Sequence, residues 1–244
     1  SVGRPASEMR RSVRPSGILR IEIARTLLAG EVCNYKGKAF TTHGIELSFT
    51  VDQAAPMYMG AMGERTVRTC GEVADGWVIS LLEPLGYVVA AREWLKQGAE
   101  SAGRDVDAIE VVQYFPFSCD ADSRRAKDAV KPLMALFMAG EFALYERQDA
   151  VMHALTSYLS GISSADYLAV LDDLAAGRDP VEAIPDVLVD ELAIAGTPEE
   201  CAAVLGRYAD AGVTEAALLP ADGNFAVAAQ IIGEQLASRL RADG

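Results

Sequence analysis

Short apolar runs alternate with amphipathic helical stretches over most of this chain. Met57–Met59, Trp77–Leu82, Ile109–Phe117 and Val213–Leu219 are apolar without the polar alternation of a half-exposed strand. Such runs belong to strands covered on both faces. Between them the period changes. Tyr87, Ala91, Trp94, Leu95 and Ala99 recur at helical spacing and predict a helix over 85–102. Val67, Cys70 and Ala74 share one face of a predicted helix over 64–74. Val130, Leu133, Met134, Phe137 and Met138 do the same over 123–138, where Pro132 is expected to introduce a kink. Thr197-Pro198-Glu199-Glu200 reads as a capped helix start: a hydroxyl at the cap, proline in the first turn and glutamate three residues on. Val204, Leu205, Tyr208 and Ala209 form the stripe that follows, and 225–240 is the last predicted helix.

Strands of this kind alternating with helices define an α/β protein with a parallel sheet covered on both sides. The pattern leaves two architectures open, a doubly wound sheet and a (β/α) barrel. Two regions break the rhythm. Tyr35–Phe40 and Ile45–Phe49, either side of Gly44, predict a surface hairpin with His43 at its tip. Residues 141–190 are helix-prone and punctuated by Gly161, Gly177, Pro180 and Pro185, which predicts a helical insertion before the last strand.

Charge narrows the partners. The 244 residues carry a net charge of −13 and a pI near 4.6, so the basic footprint that nucleic acid requires is missing. Residues 1–25 depart from the rest, with six arginines against Glu8 and Glu22. An Arg-rich start is compatible with a transit peptide. The spacing of Ile18, Ile21, Arg25 and Leu28 favours an amphipathic helix, predicted over 18–29 and closed by Gly30. The four cysteines, at 33, 70, 119 and 201, lack the close spacing of zinc or redox motifs, and Cys70 and Cys201 fall on apolar helix faces. They read as free thiols of a cytoplasmic protein. No apolar run is long enough to span a bilayer. The two histidines, His43 and His153, have no nucleophile at a recognisable spacing, and no metal site is expected.

One stretch carries specific chemistry. At Tyr58-Met59-Gly60-Ala61-Met62-Gly63 an apolar strand breaks at glycine and a helix opens at once. Backbone N–H groups and a helix N-terminus then converge on one spot, which suits a phosphate. A plain strand-to-helix turn is the alternative. Ser80, near the end of the second apolar run, is a candidate pocket residue, the alternative being a small core residue. Gln113 and Tyr114 are polar positions within the third run.

Tyr58–Gly63 and Gly71-Glu72-Val73-Ala74-Asp75-Gly76-Trp77-Val78 resemble the luciferase-like flavin and deazaflavin oxidoreductases, in particular the branch of F420-dependent methylenetetrahydromethanopterin reductases. Further stretches agree in order: Leu28-Ala29-Gly30-Glu31, Asn34-Tyr35-Lys36-Gly37-Lys38, Leu47-Ser48-Phe49, Ala99–Asp105, Ala195–Glu200, and Asp210–Val213 with Leu218-Leu219-Pro220. The resemblance covers nearly the whole chain outside 141–190. It implies a TIM barrel with the cofactor across the C-terminal ends of its strands. The four runs become the fifth to eighth strands, so the chain is the C-terminal half of a (β/α)8 barrel, a single partial barrel domain over 1–244.

The resemblance further implies F420 as cofactor, with FMN as the alternative. Gly60, Ala61, Met62 and Gly63 would hold its phosphate, with the two glycines in conformations closed to other residues. Ser80 would face the cofactor or substrate pocket. A small-molecule substrate and a homo-oligomer are expected. A whole barrel takes about 250 residues and eight strands, and the first three or four units are expected upstream of Ser1. Because those units hold the groups nearest the chemistry, no catalytic residue is assigned. The alternative is a non-catalytic half-barrel subunit that closes against a partner.

Overall fold

The computed structural model describes residues 16–36, 41–49, 51–53, 55–145, 156–237 and 239. In chain order the elements are α1 (Ser16–Leu28), β1 (Cys33–Lys36), β2 (Thr41–Ile45), β3 (Tyr58–Gly60), α2 (Glu64–Val73), β4 (Gly76–Ile79), α3 (Leu85–Ser101), β5 (Glu110–Cys119) and α4 (Ser123–Tyr145). There follow α5 (Ser164–Ala175), α6 (Pro180–Ala183), α7 (Asp186–Leu192), β6 (Ile194–Gly196), α8 (Pro198–Asp210), β7 (Glu215–Pro220) and α9 (Phe225–Ile231), which runs into a π turn at Ile232–Leu236. Among the described residues no helix is long and apolar enough to cross a membrane. The chain divides into two compact units, residues 1–77 with 94–109, and residues 78–93 with 110–244. The division falls within β4 and within α3.

In the first unit β1 and β2 pair antiparallel, with Tyr35 opposite Thr42 and Lys36 opposite Thr41, and a register shift between Cys33 and Tyr35. The predicted hairpin is present, but its register moves. Gly44 and His43 lie inside β2, and residues 37–40, which link β1 to β2 along the chain, are outside the described residues. Glycine can sit within an edge strand at positive φ, and Gly44 does so at 59°. β3 and β4 are neighbours. Between them α2 buries Val67, Cys70 and Gly71. Its C-terminal carbonyls are held by two guanidinium groups: Arg104 donates to Gly71 O (2.7 Å) and Ala74 O (2.6 Å), and Arg25 donates to Val73 O (2.7 Å). Cations at this end complement the helix dipole.

In the second unit β5 is the long strand. It pairs parallel with β7 over Val112–Phe117 and with β6 over Phe117–Cys119. The three-residue β6 has no counterpart among the predicted strands, because so short a run directly ahead of a capped helix start carries no periodicity. On β5 the alternate positions Val111, Gln113, Phe115 and Phe117 are buried. Phe115 meets Tyr208 of α8 edge-on, with ring centroids 4.7 Å apart, so this side faces the helices. α4, α5 and α7 close a core with Val130, Met134, Met138, Leu171 and Leu188 at its centre. α4 continues through Pro132. Lys131, buried beside it, bridges to Asp128 (2.9 Å) and to Asp186 of α7 (2.7 Å). α8 starts on a full capping box, with Thr197 and Glu200 satisfying each other's N–H groups. All four cysteines are free thiols.

Candidate functional site

In the first unit β3 ends at Gly60 and α2 begins after Gly63. The turn between them is anchored from behind. Trp77, fully buried, donates its indole N–H to Ala61 O at 2.8 Å, and Ala61 itself is buried. Cys70 reaches the carbonyls of Gly76 (3.6 Å) and Met59 (4.0 Å). Gly60 and Gly63 face solvent, and Met62 is half-buried between them. Of the four predicted residues, Ala61 thus turns its carbonyl inward, and the other three form the surface of the turn.

The glycines correct one expectation. Gly63 has φ −78° and ψ 147°, ordinary extended geometry, and neither it nor Gly60 lies in the left-handed region. Conformational permissiveness is therefore not why glycine stands there. Space is. A Cβ on Gly60 would meet nothing within 4 Å, and one on Gly63 only Thr66 Oγ1 at 3.7 Å. The fold does not need these glycines, but a ligand approaching the backbone would. The start of α2 matches this: Gly63 offers no side chain to cap the first N–H groups of a ten-residue helix. Glu64, the acid in the first turn, is drawn along the helix to Arg68 at 2.7 Å.

In the second unit Ser80 lies one residue beyond β4 and is exposed. The predicted strand over 77–82 is cut short there. Leu81 and Leu82 form a turn, and Leu82 adopts φ 62°, unusual for a branched residue. Its side chain is buried in the core with Tyr167 and Leu192, which holds the backbone in that conformation. Gln113 is not a pocket residue. It is fully buried on the helix-facing side of β5 and donates to Glu83 O at 2.9 Å, beside the Tyr208 hydroxyl, which donates to the same carbonyl. Tyr114 points the other way and is 44% exposed. Strand alternation decides between the two. His43 sits on β2, and His153 lies outside the described residues.

An open cleft of about 890 Å³ lies in the first unit between α1 and the C-terminal end of α2. Arg25, Met57, Asp75 and Arg104 line it. Met57 precedes β3, so the cleft is at the N-terminal end of that strand, opposite to the turn. Its charges are engaged: Asp75 accepts from Arg25 (2.6 Å) and from Met57 N–H (2.8 Å). Burial alone would raise the Asp75 carboxyl, but these hydrogen bonds and the neighbouring guanidinium groups hold it below its usual value. In barrels this end serves stability.

Parallel strands alternating with helices in this order define a (β/α)-barrel type of protein. The chain belongs to the luciferase-like monooxygenase family, which matches residues 20–215. It is 30% identical over 218 residues to the 5,10-methylenetetrahydromethanopterin reductase of Methanolobus tindarius, covering 88% of this chain and 64% of that protein. The structure of coenzyme F420 dependent tetrahydromethanopterin reductase from Methanopyrus kandleri matches with a TM-score of 0.75 at 23% identity, over 90% of this chain and 61% of that one. An F420-dependent secondary alcohol dehydrogenase, solved with an F420-acetone adduct, matches with a TM-score of 0.62 at 18% identity, over 92% and 61%. The chain thus spans less than two thirds of the length of these proteins. The fold is that of four TIM-barrel strand–helix units, with β3, β4, β5 and β7 as the strands, a hairpin ahead of them and helices ahead of β7.

Proposed function

We propose that this chain is part of an F420-dependent oxidoreductase that transfers a hydride to or from a small organic substrate. The observation that carries the reading is the 30% identity over 88% of the chain to a 5,10-methylenetetrahydromethanopterin reductase. The geometry of the turn supports it. The N–H groups at Gly60–Gly63 and at the start of α2 would hold the cofactor phosphate, helped by roughly half a positive charge from the helix dipole. Open space in front of both glycines fits such a group. A local device of this kind is needed because a protein with a net charge of −13 repels phosphate at a distance. When bound, F420 supplies the hydride chemistry; the protein binds it, orients it and excludes water. Ser80, exposed at the C-terminal end of β4, would line the substrate pocket. The reading includes a single partial barrel domain with 141–190 as a helical insertion, a homo-oligomer and a cytoplasmic location.

The test is titration of the purified protein with F420 and, separately, FMN, followed by absorbance and fluorescence. F420 binding that weakens at least tenfold in Gly60→Val and Gly63→Val, with circular dichroism unchanged, supports the proposal. Binding of FMN alone would replace the cofactor. No binding of either by a folded chain favours a structural subunit. Unchanged affinity in both variants moves the phosphate elsewhere.

A further inference from the structure

Two thiols meet at the C-terminal end of β5. Side chains alternate along a strand, and Phe115 and Phe117 lie on the side of β5 that packs on α8. Cys119 is next in that phase. On α8 the buried residues are Cys201, Leu205 and Tyr208, spaced to share one face. A period of two on the strand and of 3.6 on the helix therefore bring Cys119 and Cys201 to the same place. The strand register agrees. Cys119 is paired with Gly196 of β6, and Cys201 Sγ lies 3.7 Å from Gly196 O and 3.9 Å from Ser118 O. Each thiol perturbs the titration of the other, as neighbouring groups do. Their access differs: Cys201 is fully buried and Cys119 is partly open to solvent.

We propose that Cys119 and Cys201 form an oxidation site whose substrate is a peroxide and whose product is a disulfide joining β5 to α8. The Cys119 thiolate attacks one peroxide oxygen and the O–O bond breaks. Water leaves with the second oxygen, and Cys119 becomes a sulfenic acid. The Cys201 thiolate then attacks the Cys119 sulfur, the S–O bond breaks, and the hydroxide leaves as water with a proton. Two thiols lose two electrons and hydrogen peroxide gains them. Exposure makes Cys119 the residue oxidised first and Cys201 the one that resolves it. Burial raises both thiols, Asp120 and Glu199 raise Cys119 further, and Arg239 lowers it. Thiolate is therefore scarce at neutral pH, and the reaction is slow rather than absent. Cys70, raised by burial to about 12, lies against the backbone carbonyls of Met59 and Gly76 and serves as an internal control.

The experiment treats the reduced protein with hydrogen peroxide, alkylates the remaining thiols and maps peptides by mass spectrometry. The expected product is a Cys119–Cys201 cross-linked peptide that two hydrogens have left, reversible with dithiothreitol, while Cys70 is still alkylated. In Cys201→Ser, Cys119 should instead be trapped by dimedone as a sulfenic acid. Oxidation of wild-type Cys119 to sulfinic or sulfonic acid with Cys201 still reduced would overturn the proposal. So would the absence of oxidation at either residue under excess peroxide. If the serine variant does not fold, the wild-type map alone decides.

Discussion

Gly98→Ala should destabilise the chain, although alanine is the better helix former. Gly98 is a buried residue in α3, and a Cβ there would stand 2.0 Å from Arg68 O and 2.7 Å from Arg68 C. The approach is mutual: a Cβ on Gly71 of α2 would stand 2.2 Å from Leu95 O. Real Cβ contacts stop near 3 Å, so α2 and this part of α3 must separate by about 1 Å, and the atoms in the way are backbone that no rotamer can move. Overpacking of this kind costs about 1–3 kcal/mol, and a backbone clash belongs at the upper end. The helix-propensity gain returns about 1 kcal/mol. The net loss is about 2 kcal/mol. Gly206 is the control. It lies within α8, where a Cβ would meet nothing within 4 Å, so Gly206→Ala should stabilise by about 0.5–1 kcal/mol. Urea unfolding measures both. Trp77 and Trp94, the two tryptophans of the sequence, both lie in the first unit and report its unfolding by fluorescence, while circular dichroism follows the helices of the whole chain. If Gly98→Ala gains stability as Gly206→Ala does, the close packing of α2 on α3 is refuted.

Thr197→Ala removes one half of the capping box on α8 and should cost about 1 kcal/mol in thermal or urea unfolding, with Thr197→Ser retaining most of it. Asp75→Asn should destabilise at pH 7. The wild-type carboxyl is held below its unfolded value of about 3.9, so its stabilisation is present above that pH and is lost as the pH falls through the lower folded value. The gap between wild type and variant should therefore close in acid, and a gap that is constant from pH 7 to pH 2 would contradict the Arg25 and Met57 contacts. Lys131→Met should cost about 1 kcal/mol, discounted because Asp186 is half exposed. Burial disfavours the Lys131 charge, but Asp186 and Asp128 outweigh it and raise the group, so its contribution persists through neutral pH and fades only above about 10.4. Equal stability at pH 7 and pH 9 to that of wild type would refute it.

The layered α/β pattern was legible because burial on both faces writes itself into unbroken apolar runs, and the helix starts because Thr197-Pro198-Glu199-Glu200 specifies its cap locally. What stayed hidden depends on distant partners. Gly44 reads as a turn in the sequence because a glycine's effect on the backbone is visible there while its strand partner is not. Gln113 and Tyr114 are adjacent and both polar, yet one is a buried donor to Glu83 O and the other is exposed; only the phase of β5 against α8 separates them. Leu82 carries no sequence mark of its positive φ, since the burial that holds it comes from Tyr167 and Leu192. The pairing of Cys119 with Cys201 was equally invisible, 82 residues apart along the chain by their numbering.

Backbone conformation does not account for the glycines of the Gly60–Gly63 turn. Had the glycines been needed for a left-handed backbone, the fold alone would explain them. With ordinary dihedrals and empty space in front, it does not. The two ends of α2 sharpen the contrast. At the C-terminal end Arg104 and Arg25 satisfy three carbonyls, those of Gly71, Ala74 and Val73. At the N-terminal end no side chain caps the helix. A helix serving stability alone gains from capping at both ends, and at the N-terminus a side-chain cap in place of glycine is worth about a few tenths of a kcal/mol. Leaving that end bare costs stability in every molecule that holds no ligand, and an anion seated there would offset the loss. Gly63→Ser separates these accounts. If the end is merely uncapped, serine supplies the missing acceptor and raises stability with no effect on F420. If it is a phosphate seat, the hydroxymethyl group occupies the space in front of the turn, and the gain in stability comes with weaker F420 binding.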